Sequence, residues 1–225
     1  MRKFIFIIAC AFMPAFAETA SITPSQPTHY FYTPTSYVNP PYHLVISLHE
    51  ISFALPGNLQ LQASLFDNIG RINAGVKWGI DRKLSIGAGL AHSIVHIGKG
   101  THGIPSWSAP RAGAFLCWGP VLNQNFEMSL TPHIQFGERF SVGGDIGMLI
   151  KPQPIWSVIA EIGSSVDTRD NLLYLNIDGG LRIHPPSIPF LNFDIGIDIE
   201  EFAVRNESRP SVTIFFDVIF SMVTH

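Results

Sequence analysis

The sequence predicts an all-β chain: a closed, antiparallel, up-and-down transmembrane β-barrel of twelve strands, with ten as the fallback count. Three observations carry this reading. Apolar and small-polar residues alternate with period 2 along segments of about 9 to 14 residues, the length of a tilted membrane strand, and no useful window repeats at 3.6 residues. Charged residues make up only 14% of the 225 residues, against about 25% in an average soluble domain. Finally, the face opposite the apolar one is built of Gly, Ser, Asn and occasional charges, which suits a crowded lumen better than open water.

The alternation is clearest between Arg71 and Ile97. Ile72, Ala74, Val76, Trp78 and Ile80 form one apolar row, and Leu84, Ile86, Ala88 and Leu90 a second, joined at Asp81-Arg82. Behind them stand Arg71, Asn73, Gly75, Lys77 and Gly79, then Lys83, Ser85, Gly87, Gly89 and Ala91. A greasy row backed by a small-polar row is the pattern of a membrane hairpin.

Taken in order, the chain opens on Met1-Arg2-Lys3, an apolar run from Phe4 to Phe12, and Ala15-Phe16-Ala17. A positive start, a short apolar core and an A-x-A site read as a secretory signal peptide over 1–17, cleaved after Ala17. Its loss leaves 12 Lys and Arg against 17 Asp and Glu, a balance that offers nucleic acid no basic stripe. Residues 18–41 are rich in Pro and Tyr, and are expected to supply a first strand at Thr28–Val38 or a plug in the lumen. The barrel occupies 42–225. Its candidate strands are Tyr42–Leu55, Asn58–Asn68, Arg71–Ile80, Lys83–Ile97, Arg111–Gly119, Asn125–Phe136, Arg139–Ile150, Ile155–Asp167, Leu172–His184, Phe190–Glu200 and Ser211–Met222. These number eleven, so the twelfth is sought at Thr28–Val38. Turn residues fill the gaps, among them Pro56-Gly57-Asn58, Asp81-Arg82, Gly119-Pro120 and Pro152-Gln153-Pro154. Two longer connections, Gly98–Pro110 and Glu201–Pro210, have the same parity and are placed at one end.

The segment from Ala74 to Gly89 resembles the hairpins of small porin-like outer-membrane barrels of Gram-negative bacteria, with Gly on alternate inward positions and a tight turn. The resemblance covers one hairpin closely and the rest of the mature chain loosely, and matches no specific family. It implies an outer-membrane location, contact with outer-membrane lipid, and passive transport of small solutes or cations, the alternative being a non-conducting structural or surface-binding barrel. Such barrels end on an aromatic residue, whereas here Phe220 is followed by Ser221 to His225.

The predicted lumen is narrow and acidic. Its charged candidates are Arg71, Lys77, Glu127, Asp145, Glu161, Asp178, Arg182, Asp194, Asp198 and Asp217; Lys83, Arg111 and Glu200 belong to the same rows. Charges inside a membrane barrel have to be wet or paired. His102 and Trp107, in the loop Gly98–Pro110, are candidates for outer recognition, since long loops carry that function. No metal site, cofactor or catalytic residue is expected. His92 and His96 lack neighbouring ligands at zinc spacing, and no nucleophile motif is present. Cys117 stands alone once Cys10 leaves with the leader, and reads as a packing residue. Oligomeric state is not legible.

Overall fold

A computed structural model describes residues 34–225 except 49, 65–70, 82, 94–110, 120, 124, 138–139, 169–171, 204–209, 211 and 224–225. Thirteen strands follow one another: β1 (His43–Ile46), β2 (Glu50–Leu55), β3 (Leu59–Ser64), β4 (Arg71–Gly79), β5 (Leu84–Ser93), β6 (Arg111–Trp118), β7 (Val121–Asn123), β8 (Phe126–Phe136), β9 (Ser141–Gln153), β10 (Trp156–Asp167), β11 (Leu172–Ile183), β12 (Leu191–Ala203) and β13 (Val212–Val223). Sequence neighbours pair antiparallel, β13 pairs with β1, and β6 pairs with β8, so twelve strands close a ring and the three-residue β7 lies beside β8.

The period-2 pattern sorts the two faces as expected. Outward residues such as Ile146, Ile162, Ile177, Leu181, Ile195 and Ile197 are exposed, while their strand neighbours Gly147, Glu161, Asp178, Arg182, Asp194 and Gly196 are buried in the interior. Tyr42, Trp78 and Trp118 are exposed at the end where the short turns lie, and Phe136 and Phe140 meet near the other end as a tilted pair with ring centroids 5.0 Å apart. Aromatic belts at two levels fit a membrane-facing wall. Tyr174 lies on the inward row with Asn176 and Asp178.

The count of twelve holds, but its source differs from the expectation. Tyr42–Leu55 is not one strand. It is the β1–β2 hairpin, with Leu44 opposite Phe53 and Ile46 opposite Ile51. The turn carries no Gly or Pro because Ser47 supplies its chemistry: the Ser47 amide donates to the Glu50 carbonyl at 2.7 Å, and the Ser47 hydroxyl accepts from the Glu50 amide at 2.8 Å. A serine-based turn of this kind leaves the apolar alternation unbroken in sequence. None of Pro34–Val38 belongs to a strand, and 28–33 lie outside the described residues. Two smaller differences are that β9 runs through Gln153, so the next turn falls at Pro154-Ile155, and that Lys83 is an exposed turn residue and not a lumen base.

Residues 34–41 lead into β1 through a tight turn. The His43 amide donates to the Pro40 carbonyl at 3.2 Å, and Tyr42 takes φ 65°. Pro41 followed by a left-handed residue is type II turn geometry, and a tyrosine there carries strain of about 1–2 kcal/mol. At the β2–β3 turn Gly57 and Asn58 also adopt positive φ, as that turn's residues favour.

Candidate functional site: the barrel lumen

At the short-turn end the lumen has a floor of buried side chains, with polar ones such as His43, Gln60, Lys77 and Ser157 among the apolar. Val45, Ala54, Cys117, Leu149, Ile159 and Ile219 come from six different strands, face inward and are buried. Residues 34–39 run across this floor as a strap. Thr35 and Ser36 are 1% exposed. The strap's backbone receives long hydrogen bonds from the wall: the Ser85 hydroxyl donates to the Thr35 carbonyl at 3.4 Å, and Cys117 Sγ and Thr131 Oγ1 donate to the Pro34 carbonyl at 3.2 and 3.3 Å. In return the Asn39 amide donates to Gln60 Oε1 at 3.3 Å, and the Ser36 hydroxyl to the Gly119 carbonyl at 3.4 Å. Glycine makes the close approach possible, since a Cβ at Gly119 would meet the Ser36 side chain and one at Gly79 the Val38 side chain. The Tyr37 hydroxyl is pushed up to about 12, first by burial and then by the nearby charge of Glu127, so it stays neutral.

The predicted charged residues divide by what they meet. Arg182 and Asp194, opposite each other on β11 and β12 and each 3% exposed at the side chain, form a bidentate pair at 2.8 and 2.7 Å. Glu127 is paired with Lys151. Asp145 meets His133 at 3.1 Å. Asp217 accepts from the amides of Leu48 and Val218, both at 2.7 Å, and so holds the β1–β2 turn against β13. Lys77 is 1% exposed and lies opposite the strap-binding Gln60. Glu161, Asp178 and Asp198 stand in lateral register on β10, β11 and β12. The side chains of Arg71, Arg111 and Glu200, and all of the loop with His102 and Trp107, lie outside the described residues.

Two polar groups went unread in the sequence. Lys151 continues the inward phase of Gly147 and Leu149, one residue past Ile150, where the strand was expected to end ahead of Pro152. The other is a relay on the ends of three strands: Ser157 Oγ lies 2.9 Å from His184 Nε2, and His184 Nδ1 lies 2.7 Å from Asn192 Oδ1. An amide oxygen only accepts, so Nδ1 carries the proton and Nε2 accepts from the serine. Burial pushes the His184 pKa down, against the opposing pull of Asn192, and the ring is neutral. These residue types serve nucleophilic catalysis elsewhere. Here Ser157 is 0% exposed, and the arrangement acts as a clasp between β10, β12 and the turn after β11.

No family model matches the sequence, and no characterised protein matches it by sequence. Solved structures do match by shape. The NanC porin superposes with a TM-score of 0.50 at 8% identity, covering 81% of this chain and 98% of that one. The outer-membrane channel DcaP of Acinetobacter baumannii gives 0.43 at 11% identity, covering 90% and 70%. The chain therefore has the closed, twelve-stranded antiparallel barrel fold of porin-like proteins.

Proposed function

We propose that this protein is an outer-membrane channel for small solutes, that its narrow lumen favours cations, and that the strap over 34–39 is a resident plug. Location in the outer membrane is supported by the secretory leader, the exposed apolar belt and the barrel's likeness to a porin. One observation carries the cation preference. The inward rows hold Glu50, Glu127, Asp145, Glu161, Asp167, Asp178, Asp194, Asp198 and Asp217 against Lys77, Lys151 and Arg182 among the described side chains, and two of those bases are already engaged by Glu127 and Asp194. Such a lumen attracts cations and repels anions. No enzymatic step, metal or cofactor enters this reading.

The test is a planar-bilayer recording across a salt gradient. A reversal potential of the sign expected for cation flow supports the proposal, whereas anion selectivity overturns it. The buried floor and strap favour a second reading, a barrel that does not conduct and serves through its surface. Liposome swelling with small sugars and amino acids separates the two, since the second predicts no swelling in protein-loaded vesicles.

A further inference from the structure

The β1–β2 hairpin is short for a membrane wall. β1 pairs with β13 only from His43 to Ile46, and that ladder ends with Ile46 opposite Phe220. The turn above it closes on Ser47 and Glu50, and the Leu48 amide donates to Asp217 Oδ1, so the tip of the hairpin lies at the level of Asp217. β13 does not end there. It stays paired with β12 from Phe216 to Val212, whereas among the described residues no strand pairs with the other edge of that stretch. On the far side of the hairpin, Glu50 lies opposite Ser64 of β3. Above the tip the wall therefore lacks two strands between β13 and β3, a gap about 10 Å wide that runs about 17 Å along β13.

Exposure points the same way. Val212, Thr213 and Ile214 are exposed in succession, on both faces of the strand, where a closed wall alternates. Ile214 is 76% exposed, the most of any large apolar side chain described. Ile214 and Phe216 lie opposite Ile197 and Ile195 of β12, so the gap interrupts the same apolar belt that faces lipid elsewhere. The inward Phe215 does not block it. Its ring lies over Gly196 of β12, where a Cβ would meet it, and so turns away from the free edge.

We propose that this gap is a lateral portal between the lumen and the bilayer, and that its occupant is a single-chain amphiphile with its head in the lumen and its alkyl chain across the gap. The free backbone edge of β13 sets the choice. Unpaired N–H and C=O groups at membrane depth are tolerated where they line a wet cavity and not where they meet hydrocarbon. Lumen water therefore has to reach this edge, while Ile214 and Phe216 beside it face lipid. A molecule that is polar at one end and alkyl along the rest satisfies both sides of that boundary at once. The portal goes beyond the channel reading and needs only a bilayer around the barrel.

Photo-cross-linking of the full-length mature barrel in lipid vesicles tests the portal, with a hexadecyl glucoside carrying a mid-chain diazirine as the probe. Labelling should reach Thr213 and Phe215 on the inward row of β13 as well as Ile214 and Phe216 on the outward row. On β10, which is paired along both edges, it should stay on outward residues such as Ile162. A maleimide carried on an alkyl chain within the bilayer gives a second measurement: Phe215→Cys should react at least tenfold faster than the inward Ser165→Cys, over the background of the buried Cys117. The heat-modifiable gel shift confirms that each variant is folded, and the wild-type labelling stands even if a variant does not fold. Labels confined to the outward row of β13 overturn the portal, as do equal rates at the two cysteines or cross-linking of β13 to a second copy of the chain in place of the probe. Inward labelling supports the portal whether or not the barrel conducts. Cation-selective conductance without inward labelling overturns the portal and leaves the channel.

Discussion

Arg182 and Asp194 show how a residue's role depends on its neighbours. Both were legible as inward charges from their phase on β11 and β12, but their pairing depends on register, which only the folded sheet supplies. At 3% exposure each, removing one partner leaves the other charged and buried, a change that costs about 3–5 kcal/mol. Arg182→Met should therefore lower the urea midpoint of the detergent-folded barrel strongly. Arg182→Met with Asp194→Leu should recover most of the loss. His184 gives a pH-dependent counterpart. Its folded pKa lies below the ordinary value of about 6.5 because the ring is buried, so the unfolded chain takes up the proton first as pH falls. Stability from this group is complete above that ordinary value and is lost as pH drops through it toward the folded pKa. The thermal midpoint of His184→Gln should fall less between pH 7 and 5 than that of the wild type; parallel profiles would exclude a role for the clasp.

At the scale of elements, the strap is the segment whose sequence said least. Its prolines excluded a regular strand across most of 18–41, yet nothing in its composition fixed which side chains would receive it. Those side chains, Gln60, Ser85, Cys117 and Thr131, look like ordinary small-polar lumen residues until the chain folds back at Pro40–His43. Cys117, 0% exposed beneath Pro34, reports on the seat. In the mature protein its thiol should react slowly with a membrane-impermeant maleimide. Ser85→Ala combined with Thr131→Val removes two long hydrogen bonds worth about 1 kcal/mol each or less, and labelling should accelerate several-fold. An unchanged rate would show that packing alone holds the strap. The β1–β2 hairpin is the other element that sequence reading missed, because a turn closed by Ser47 leaves no Gly or Pro mark.

For the whole molecule, the wall and the lumen follow different rules. Outward positions need only be apolar, so a charge there is costly in proportion to depth. Ile162→Lys, on an exposed position of β10, should destabilise the barrel by about 2–4 kcal/mol if it sits near the midplane. Measured by urea unfolding into lipid vesicles, a change near zero would argue that this face meets water. Inward positions mix instead: at the short-turn end apolar side chains and the strap share their level with Glu127, which is in register with Leu149, and with the Arg182–Asp194 pair, and further carboxylates follow toward the end with the long connections.

The sequence by itself determined the strand positions from Arg71 onward, the inward phase of nearly every candidate charge, and the apolar belt. Period 2 is a local property, written residue by residue, and it survives any choice of neighbour. The tertiary structure decided what depends on distance across the ring: which acid meets which base, where the strap rests, that the twelfth strand comes from the β1–β2 hairpin, and that Glu161, Asp178 and Asp198 share a row. Those facts depend on strand register and closure, which join residues far apart in the chain and leave no trace in the local pattern.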